Sequence, residues 1–315
     1  MSQFLQILHA IARLDGYGKT RQLRTLVDHQ LRAGHFVRVV GMSADRNILN
    51  TWQEEGIDCL GLDRRWRYDP FVAWRLRQEM LRRPFDILHC WDQAAINFCS
   101  AVGTATPRVL AAPAIAPGIT QTPPCEGARA KFWADQCLPF DSRIVAIAGQ
   151  LTREKRIEEA IWSFELVRTI HPQAHLLIFG DGPDRIRLER FARLATDSDG
   201  IRFVGFCSQW RELLTHVDVF WHVANSLPAG LEAMAAKVPV IASDNSTNRD
   251  LIEEGYSGYL VPWDKRALWA RNTLQLFEER ELATKVGAAG AQVASKRFAD
   301  KIMLSAFDEL YGQAL

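Results

Sequence analysis

The sequence lacks the features that define several protein classes. No uninterrupted apolar run in its 315 residues reaches the ~18 residues that a membrane-spanning helix needs. No basic segment precedes the first apolar stretch, so we expect no signal peptide. The six cysteines form no CxxC pair and no metal-ligand spacing, and they are too sparse for a disulfide scaffold. We therefore expect a cytoplasmic chain with reduced thiols and no metal site.

An excess of charge of one sign is also missing, because 38 basic and 37 acidic side chains give a net charge of +1. This balance argues against a dedicated nucleic-acid binder, whose domain usually carries a clear basic excess. The segment 64–83 is nevertheless rich in arginine, and its only acidic residues are Asp69 and Glu79. Its arginines are Arg64, Arg65, Arg67, Arg75, Arg77, Arg82 and Arg83. This cluster is either a solvated helix face or a surface that meets anionic lipid or phosphate. The second interpretation predicts peripheral contact with the inner face of a membrane.

What the sequence contains is a repeated alternation of apolar strands and amphipathic helices. An apolar content of 48% and the chain length predict a globular protein of two domains. In the first half we predict helices over 19–33 and 69–83, and strands over 4–11, 36–42, 57–62, 85–91 and 107–112. We expect helix 69–83 to bury an apolar stripe opposite its arginines, formed by Phe71, Trp74, Leu76 and Leu81.

The second half repeats the alternation after a segment with four prolines, 112–125, which is typical of a domain linker. We predict strands over 143–149, 174–180, 201–205, 217–223, 238–243 and 258–262. We predict helices over 126–137, 156–170, 184–196, 208–215, 228–236, 264–297 and 298–313. Strands separated by helices predict βαβ units and parallel sheets, so the fold class is α/β with two doubly wound sheets.

Glycine and polar residues follow the predicted strands, where a doubly wound sheet binds its ligands. Gly149 ends one strand, and Lys155 lies just before the next helix, where a lysine suits a phosphate. The run 180–183, GDGP, forms either a ligand loop or only a tight turn. Gly205 ends a further strand. Glu232 is a carboxylate on an otherwise apolar helix, and the two hydroxyl groups of a ribose would satisfy it.

The order of these motifs resembles a known family. The strings GQLTREKR, LLIFGDGP, IRFVGF, LEAMA, PVIAS and EEGYSGYLVP follow one another between residues 149 and 262. They resemble the nucleotide-binding domain of retaining GT-B glycosyltransferases of family four, also called group 1. The resemblance covers 143–315 well. It extends to the N-terminal half through residues 8–40 and through FDILHCW at 85–91.

The resemblance implies two Rossmann-like doubly wound domains that face each other across a cleft. It places an acceptor-side domain at 1–140, a nucleotide-sugar domain at 141–297, and a helix at 298–315 that returns to the first domain. It further implies transfer of a hexose from a nucleoside diphosphate sugar to a glycan or lipid-linked acceptor, with no metal and no cofactor.

Residue roles carried over from the family centre on two side chains. Lys155 would bind the donor diphosphate, and Glu232 would hold the ribose hydroxyls. The other donor contacts implied by the resemblance are Gly18, Gly149, Gln150, Gly180, Gly182, Pro183, Gly205 and Asn225. The catalytic candidates are His89, Asp92 and Lys155.

The sequence departs from the family pattern at the predicted site. Gln150 stands where the family usually has an arginine, and a missing cation removes charge-assisted hydrogen bonds to a diphosphate. Ala224 or Asn225 stands where the first of two glutamates is usual. Trp91 replaces the second histidine of a His-x-His pattern that begins at His89.

Further departures leave open a second hypothesis. Ser246-Thr247 replaces a usual glycine pair, and the first domain is short. The alternative function is therefore a catalytically weak relative that binds a nucleotide, a glycan or a protein. Two candidates also have structural interpretations: His89 as a buried strand residue, and Asp92 as the cap of the following helix.

Overall fold

The computed structural model describes residues 4–66, 68–102, 108–111, 115–119, 128–136, 138–139, 141–195, 200–207, 209–223, 225 and 227–314. The chain forms two compact units. Met1–Ala116 and Met303–Leu315 form the first unit, and Pro117–Ile302 forms the second. The division after residue 116 replaces the predicted boundary at 140. Residues beyond it, such as Trp133 and Leu138, pack in the core of the second unit. The predicted boundary at 298 likewise moves to 303.

The first unit is a five-stranded parallel sheet with helices on both faces. Its strands are β1 (Gln6–Leu14), β2 (Phe36–Ala44), β3 (Asp58–Gly61), β4 (Ile87–Cys90) and β5 (Arg108–Ala111). Its helices are α1 (Gly18–Arg32), α2 (Arg46–Glu54), α3 (Pro70–Arg82) and α4 (Gln93–Val102). The strand order is β3-β2-β1-β4-β5, so β1 lies between β2 and β4. The predicted strands are all present, whereas α2 was not predicted.

Burial on both faces explains why these strands are continuously apolar. Along β1, Ile7 joins a core with Leu23 of α1, and Leu8 joins a separate core with Leu76 of α3. The prediction for α3 is wrong in its orientation. Phe71, Trp74 and Leu81 are exposed, whereas the buried residues of α3 are Val72, Leu76, Glu79 and Met80.

The second unit is a six-stranded parallel sheet. Its strands are β6 (Arg143–Ala148), β7 (Ala174–Phe179), β8 (Ile201–Gly205), β9 (Val219–His222), β10 (Val240–Ser243) and β11 (Tyr259–Val261). The strand order is β11-β10-β9-β6-β7-β8. Side chains that alternate along β6 enter two cores, with Val145 on one face and Ala146 on the other.

Helices cover both faces of this sheet as well. They are α5 (Ala128–Asp135), α6 (Ile157–Ile170), α7 (Arg185–Ala195), α8 (Trp210–Leu213), α9 (Pro228–Ala235), α10 (Ser246–Leu251), α11 (Arg266–Glu278) and α12 (Arg280–Arg297). The last helix, α13 (Asp300–Ala314), begins in the second unit and enters the first at Met303. Within the described part of the chain, no helix combines the length and apolar character needed to cross a bilayer.

The strand order fixes the point in each sheet at which the chain stops adding strands on one side and begins to add them on the other. We call this point the reversal point. From β6 the chain continues to β7 and β8 on one side, and then crosses to β9 on the other. Helices of opposite faces therefore diverge between the carboxyl ends of β6 and β9, which leaves a crevice there. The first unit has the same reversal between β1 and β4.

Candidate functional site

A cavity of about 250 Å³ lies at the reversal point of the second sheet. Its walls come from the loop between β6 and α6, from the segments after β9, β10 and β11, and from faces of α6 and α11. The lining residues are Glu154, Lys155, Arg156, Glu159, Ala160, Ser163, Val223, Asn225, Ser243, Asp244, Asn245, Trp263 and Trp269. The cavity brings together two of the predicted donor-binding residues, Lys155 and Asn225.

Lys155 ends a short 3₁₀ turn, Arg153–Lys155, that precedes α6. Its ammonium lies over Gly149, because a Cβ built on that glycine would be 3.6 Å from Lys155 Nζ. Burial lowers the pKa of Lys155, and the charge of Glu154 opposes this shift. Among the described residues, none forms a hydrogen bond or ion pair with the ammonium. A partly desolvated cation without a direct ion-pair partner is suited to bind an anion.

The predicted glycines hold three loops together rather than lining the cavity. Gly180 donates its N–H to the carbonyl oxygen of Gly205 at 2.7 Å, and Gly149 donates to Phe179 at 2.9 Å. A Cβ on Gly180 would collide with the carbonyl oxygen of Gly149, and one on Gly182 with that of Leu151. Close backbone approach therefore explains these glycines without a ligand, as the tight-turn interpretation proposed.

Two neighbours of these glycines, Gln150 and Pro183, were also predicted to contact the donor. Pro183 is exposed in the loop before α7, and Gln150 is half-buried after Gly149. The structure does not place either side chain in the cavity. Their roles in donor binding stay predictions.

Glu232 lies on α9, buried among Leu231, Ala233 and Met234, with 4% of its surface exposed. Sequence reasoning missed its ion-pair partner, because Arg211 Nε of α8 lies 2.9 Å from Glu232 Oε2. Burial lowers the pKa of Arg211, and the charge of Asp300 opposes this shift. An ionised carboxylate accepts up to about four hydrogen bonds, so an arginine and a ligand hydroxyl are compatible partners. Glu232 does not line the cavity.

Asn225 is exposed and lines the cavity after β9. The alternative position for the first glutamate, Ala224, lies outside the described residues. Asn225 is therefore the described residue at the place where the family pattern predicts a contact with the donor sugar.

His89 lies in the core of the first unit and has no exposed surface. Its Nδ1 is 2.7 Å from the hydroxyl of Tyr311, and its ring stacks on Trp91 at a centroid distance of 4.8 Å. Burial, together with His9, lowers the pKa of His89 well below its ordinary value. This placement leaves the ring no exposed surface and agrees with the structural interpretation of His89 as a buried strand residue. A catalytic role of His89 stays a prediction.

Trp91 has a structural role in the same cluster. It is 9% exposed, and its Nε1–H donates to His9 Nδ1 at 3.1 Å. With Nδ1 as the acceptor, His9 is a neutral tautomer that carries its proton on Nε2. That nitrogen donates to Gln30 Oε1 at 2.8 Å. Trp91 is therefore part of the core of the first unit.

Asp92 caps α4, as its structural interpretation proposed. One carboxylate oxygen accepts from the backbone N–H of Ala95 at 2.9 Å, and the other accepts from that of Ala12 at 2.9 Å. These bonds tie the start of α4 to β1. Gly18, the remaining candidate of the first unit, is half-buried and is the first residue of α1.

Comparison with known proteins identifies the family. A family model of the group 1 glycosyl transferases matches residues 133–293, just over half of the chain. The chain belongs to the group 1 glycosyl transferases. This confirms the family that the sequence motifs indicated, and the match includes both the cavity and the Arg211–Glu232 pair.

Relatives of known name are similar to part of the chain. A putative glycosyltransferase EpsD of Bacillus subtilis is 31% identical over 176 residues, which cover 54% of this chain and 45% of that protein. An N-acetyl-alpha-D-glucosaminyl L-malate synthase of Bacillus anthracis is 24% identical and is covered to 46%. The chain thus spans about half the length of the curated relatives it matches.

Solved structures confirm the predicted GT-B fold. A glycosyltransferase from Rickettsia africae aligns with a TM-score of 0.76 at 14% identity, and the alignment covers 98% of each chain. HepE of Anabaena, solved in complex with UDP-glucose, aligns with a TM-score of 0.73 at 14% identity. That alignment covers 98% of this chain and all of HepE. At this identity the likeness shows the fold alone.

Proposed function

We propose that the chain is a glycosyltransferase that moves a hexose from a nucleoside diphosphate sugar to a glycan or lipid-linked acceptor, with retention and without a metal. The observation that carries this proposal is Lys155, a half-buried cation at the reversal-point cavity that forms no ion pair with a described residue. Family membership supports the same conclusion. The UDP-glucose bound to HepE, which shares the fold, supports a nucleotide sugar as donor.

In the proposed site, different elements of the second unit bind different parts of the donor. Lys155 and the N-terminus of α6 face the diphosphate, and they supply the positive charge that a divalent cation supplies in other transferases. Glu232, oriented by Arg211, accepts the ribose hydroxyls. Asn225 faces the hexose. The acceptor hydroxyl attacks the anomeric carbon on the face from which the diphosphate leaves, and this gives retention.

Two measurements test the proposal. Thermal unfolding in the presence of UDP, GDP and ADP identifies the nucleotide, because a ligand at 100 times its Kd adds about 2.7 kcal/mol of stability. Incubation with the matching nucleotide hexoses then measures release of the nucleoside diphosphate, with and without acceptors. Release from the wild type and its loss in Lys155→Ala are the expected results. Absence of both stabilisation and release for every donor would contradict the proposal. The alternative of binding without turnover predicts stabilisation without release.

A second surface supports the predicted membrane contact. Trp66, Tyr68, Phe71 and Trp74 are exposed to 52%, 69%, 66% and 59% at the start of α3 and in the segment before it. Arg64, Arg65 and Arg75 belong to the same segment, whereas Arg67 lies outside the described residues. We call this the arginine–aromatic surface. Exposed aromatic rings beside arginines are typical of proteins that bind the interface of an anionic bilayer.

We accordingly propose that the arginine–aromatic surface brings the enzyme to an anionic membrane, where a lipid-linked acceptor resides. Co-sedimentation with vesicles of phosphatidylglycerol should exceed that with phosphatidylcholine, and salt should weaken it. Phe71→Ser/Trp74→Ser should abolish binding. The matched control is Ile186→Ser/Leu194→Ser on α7, where two side chains are similarly exposed, at 74% and 83%. Equal loss in both variants, or no binding of the wild type at low salt, would contradict the proposal.

A further inference from the structure

The loop that precedes α6 carries a second cation at the cavity. The family usually supplies an arginine at the position of Gln150, and this chain does not. Three other basic residues lie on the loop: Arg153, Lys155 and Arg156. Only Lys155 and Arg156 line the cavity. The side chain of Arg153 is 82% exposed, and its Nε lies 3.9 Å from Asp184 Oδ1.

Arg156 lacks the carboxylate partner that nearby arginines have. Of the acidic residues that line the cavity, Glu159 pairs with Arg266 at 2.7 Å and Asp244 pairs with Arg249 at 2.6 Å. The remaining lining carboxylate, Glu154, is exposed. Within the described ranges, Arg156 forms no ion pair and its side chain makes no hydrogen bond. The cavity is therefore lined by two cations without a direct ion-pair partner, Lys155 and Arg156, and by one exposed carboxylate, Glu154.

The contact that Arg156 does make is with an aromatic ring of the same cavity. Its guanidinium carbon lies 3.7 Å from the ring centroid of Trp263. A guanidinium over an aromatic face keeps its N–H groups in its own plane, directed outward from the contact, where they remain able to donate to another ligand. Trp263 therefore fixes the cation at the cavity without satisfying its hydrogen bonds.

The backbone of Arg156 has a conformation that disfavours a side chain. Its φ of 50° and ψ of 41° lie in the left-handed region, where a Cβ is disfavoured and glycine is not. Such conformations in non-glycine residues concentrate at functional sites. Glycine would form the same turn with less strain, so the turn alone does not explain an arginine here.

We propose that Arg156 is a second diphosphate-binding residue of the donor site, and that Trp263 is the platform that holds its guanidinium there. Arg156 replaces the cation that is missing at Gln150. The guanidinium donates paired hydrogen bonds to phosphate oxygens while Lys155 contributes a point charge. This inference rests on the proposed function, because it requires that the cavity binds a nucleoside diphosphate.

The left-handed backbone makes Arg156→Gly an unusually clean test. The variant removes the cation and relieves the backbone, so its thermal midpoint should stay unchanged or rise. Isothermal titration with UDP, GDP and inorganic pyrophosphate should show affinity for the bound diphosphate reduced at least about tenfold. Affinity for the corresponding nucleoside should not change.

Arg153→Ala is the matched control, because it removes the same charge from the same loop outside the cavity. It should change diphosphate affinity less than about twofold, since Arg153 lies outside the cavity and its charge is directed toward Asp184. Trp263→Leu should weaken diphosphate binding in the wild-type background and have little further effect in Arg156→Gly, because both changes remove one interaction.

The outcomes separate this inference from the proposed function. Diphosphate binding by the wild type that Arg156→Gly leaves intact would overturn the role of Arg156 and leave the proposed function standing. Equal weakening by Arg153→Ala and Arg156→Gly would also overturn it, because only the charge of the loop would then matter. Failure of the wild type to bind UDP, GDP, ADP or inorganic pyrophosphate would overturn the proposed function and this inference together.

Discussion

The two sheets of the molecule share a topology and use it differently. Each reverses direction once, between β1 and β4 in the first unit and between β6 and β9 in the second. On the strands that flank the first reversal, His9 and His89 are paired in register, and buried rings surround them. The second reversal opens into the cavity with Lys155 and Arg156. The shared topology therefore permits a crevice at each reversal point. The side chains determine whether that crevice is filled by a core or remains an open cavity.

This contrast predicts that perturbing the first reversal point changes stability, whereas perturbing the second changes binding. The largest effect should follow acidification. Burial lowers the pKa of His9 from 6.5 to about 4 and that of His89 well below 6.5. In the unfolded chain both regain their ordinary pKa, so between pH 6.5 and 4 the unfolded state binds more protons. Stability is thus present above pH 6.5 and is lost as the pH falls.

His9 alone should account for about 3 kcal/mol of the free energy of unfolding lost by pH 4. Urea unfolding between pH 7.5 and 4, followed by tryptophan fluorescence, measures this loss. His9→Gln should reduce the pH dependence, because it removes one of the two titrating rings and leaves His89. A flat profile in the wild type would show that the histidines are not held neutral by burial.

The second largest effect concerns Lys155 and should leave stability alone. Lys155→Ala removes a half-buried cation from the open reversal point, so we expect diphosphate affinity to fall roughly 100-fold, while affinity for the bare nucleoside is kept. Titration calorimetry of the two ligands measures the difference. A parallel fall in both affinities would assign Lys155 to the nucleoside instead.

Glu232→Gln should change both the stability of the protein and its binding of the nucleotide. The family resemblance implies that Glu232 holds the ribose hydroxyls, so the variant should weaken nucleotide binding. The structure adds that the variant removes the ion-pair partner of Arg211, so we expect a stability loss of about 1–2 kcal/mol as well. Arg211→Met/Glu232→Gln should recover much of that stability and none of the affinity. Full affinity in the single variant would remove Glu232 from the site.

The smallest effect should come from Tyr311→Phe, which deletes the hydroxyl that is bonded to His89. Loss of one buried hydrogen bond predicts about 1 kcal/mol of destabilisation. Diphosphate affinity should match the wild type. Chemical denaturation and titration of the same preparation provide both values, and a change in affinity would refute the separation of roles.

Local patterns in the sequence were sufficient for the parallel sheets and for the loops of the second unit. The strands are continuous apolar runs, and the glycines mark close backbone contacts that any chain of this topology needs. The orientation of α3 could not be predicted in this way, because its exposed face is as apolar as its buried one. Helix α2 was missed because its buried surface is little more than Trp52.

The site residues divide in the same manner. Lys155 is local to its loop, and the sequence located it. Arg211 and Glu232 lie on different helices, so their pairing depends on tertiary structure. His89 is covered by Tyr311, 222 residues further along the chain. No local pattern shows that a distant helix closes over a histidine at a strand end.

The origin of that cover has a consequence for synthesis of the protein. The strands of the first unit leave the ribosome early, but the helix that supplies Phe307 and Tyr311 to its core emerges only after nearly the whole second unit has been translated. At about 5–20 residues per second, this interval lasts on the order of 10 to 40 seconds. During that time one apolar face of the first sheet lacks the cover that Phe307 and Tyr311 provide in the finished protein.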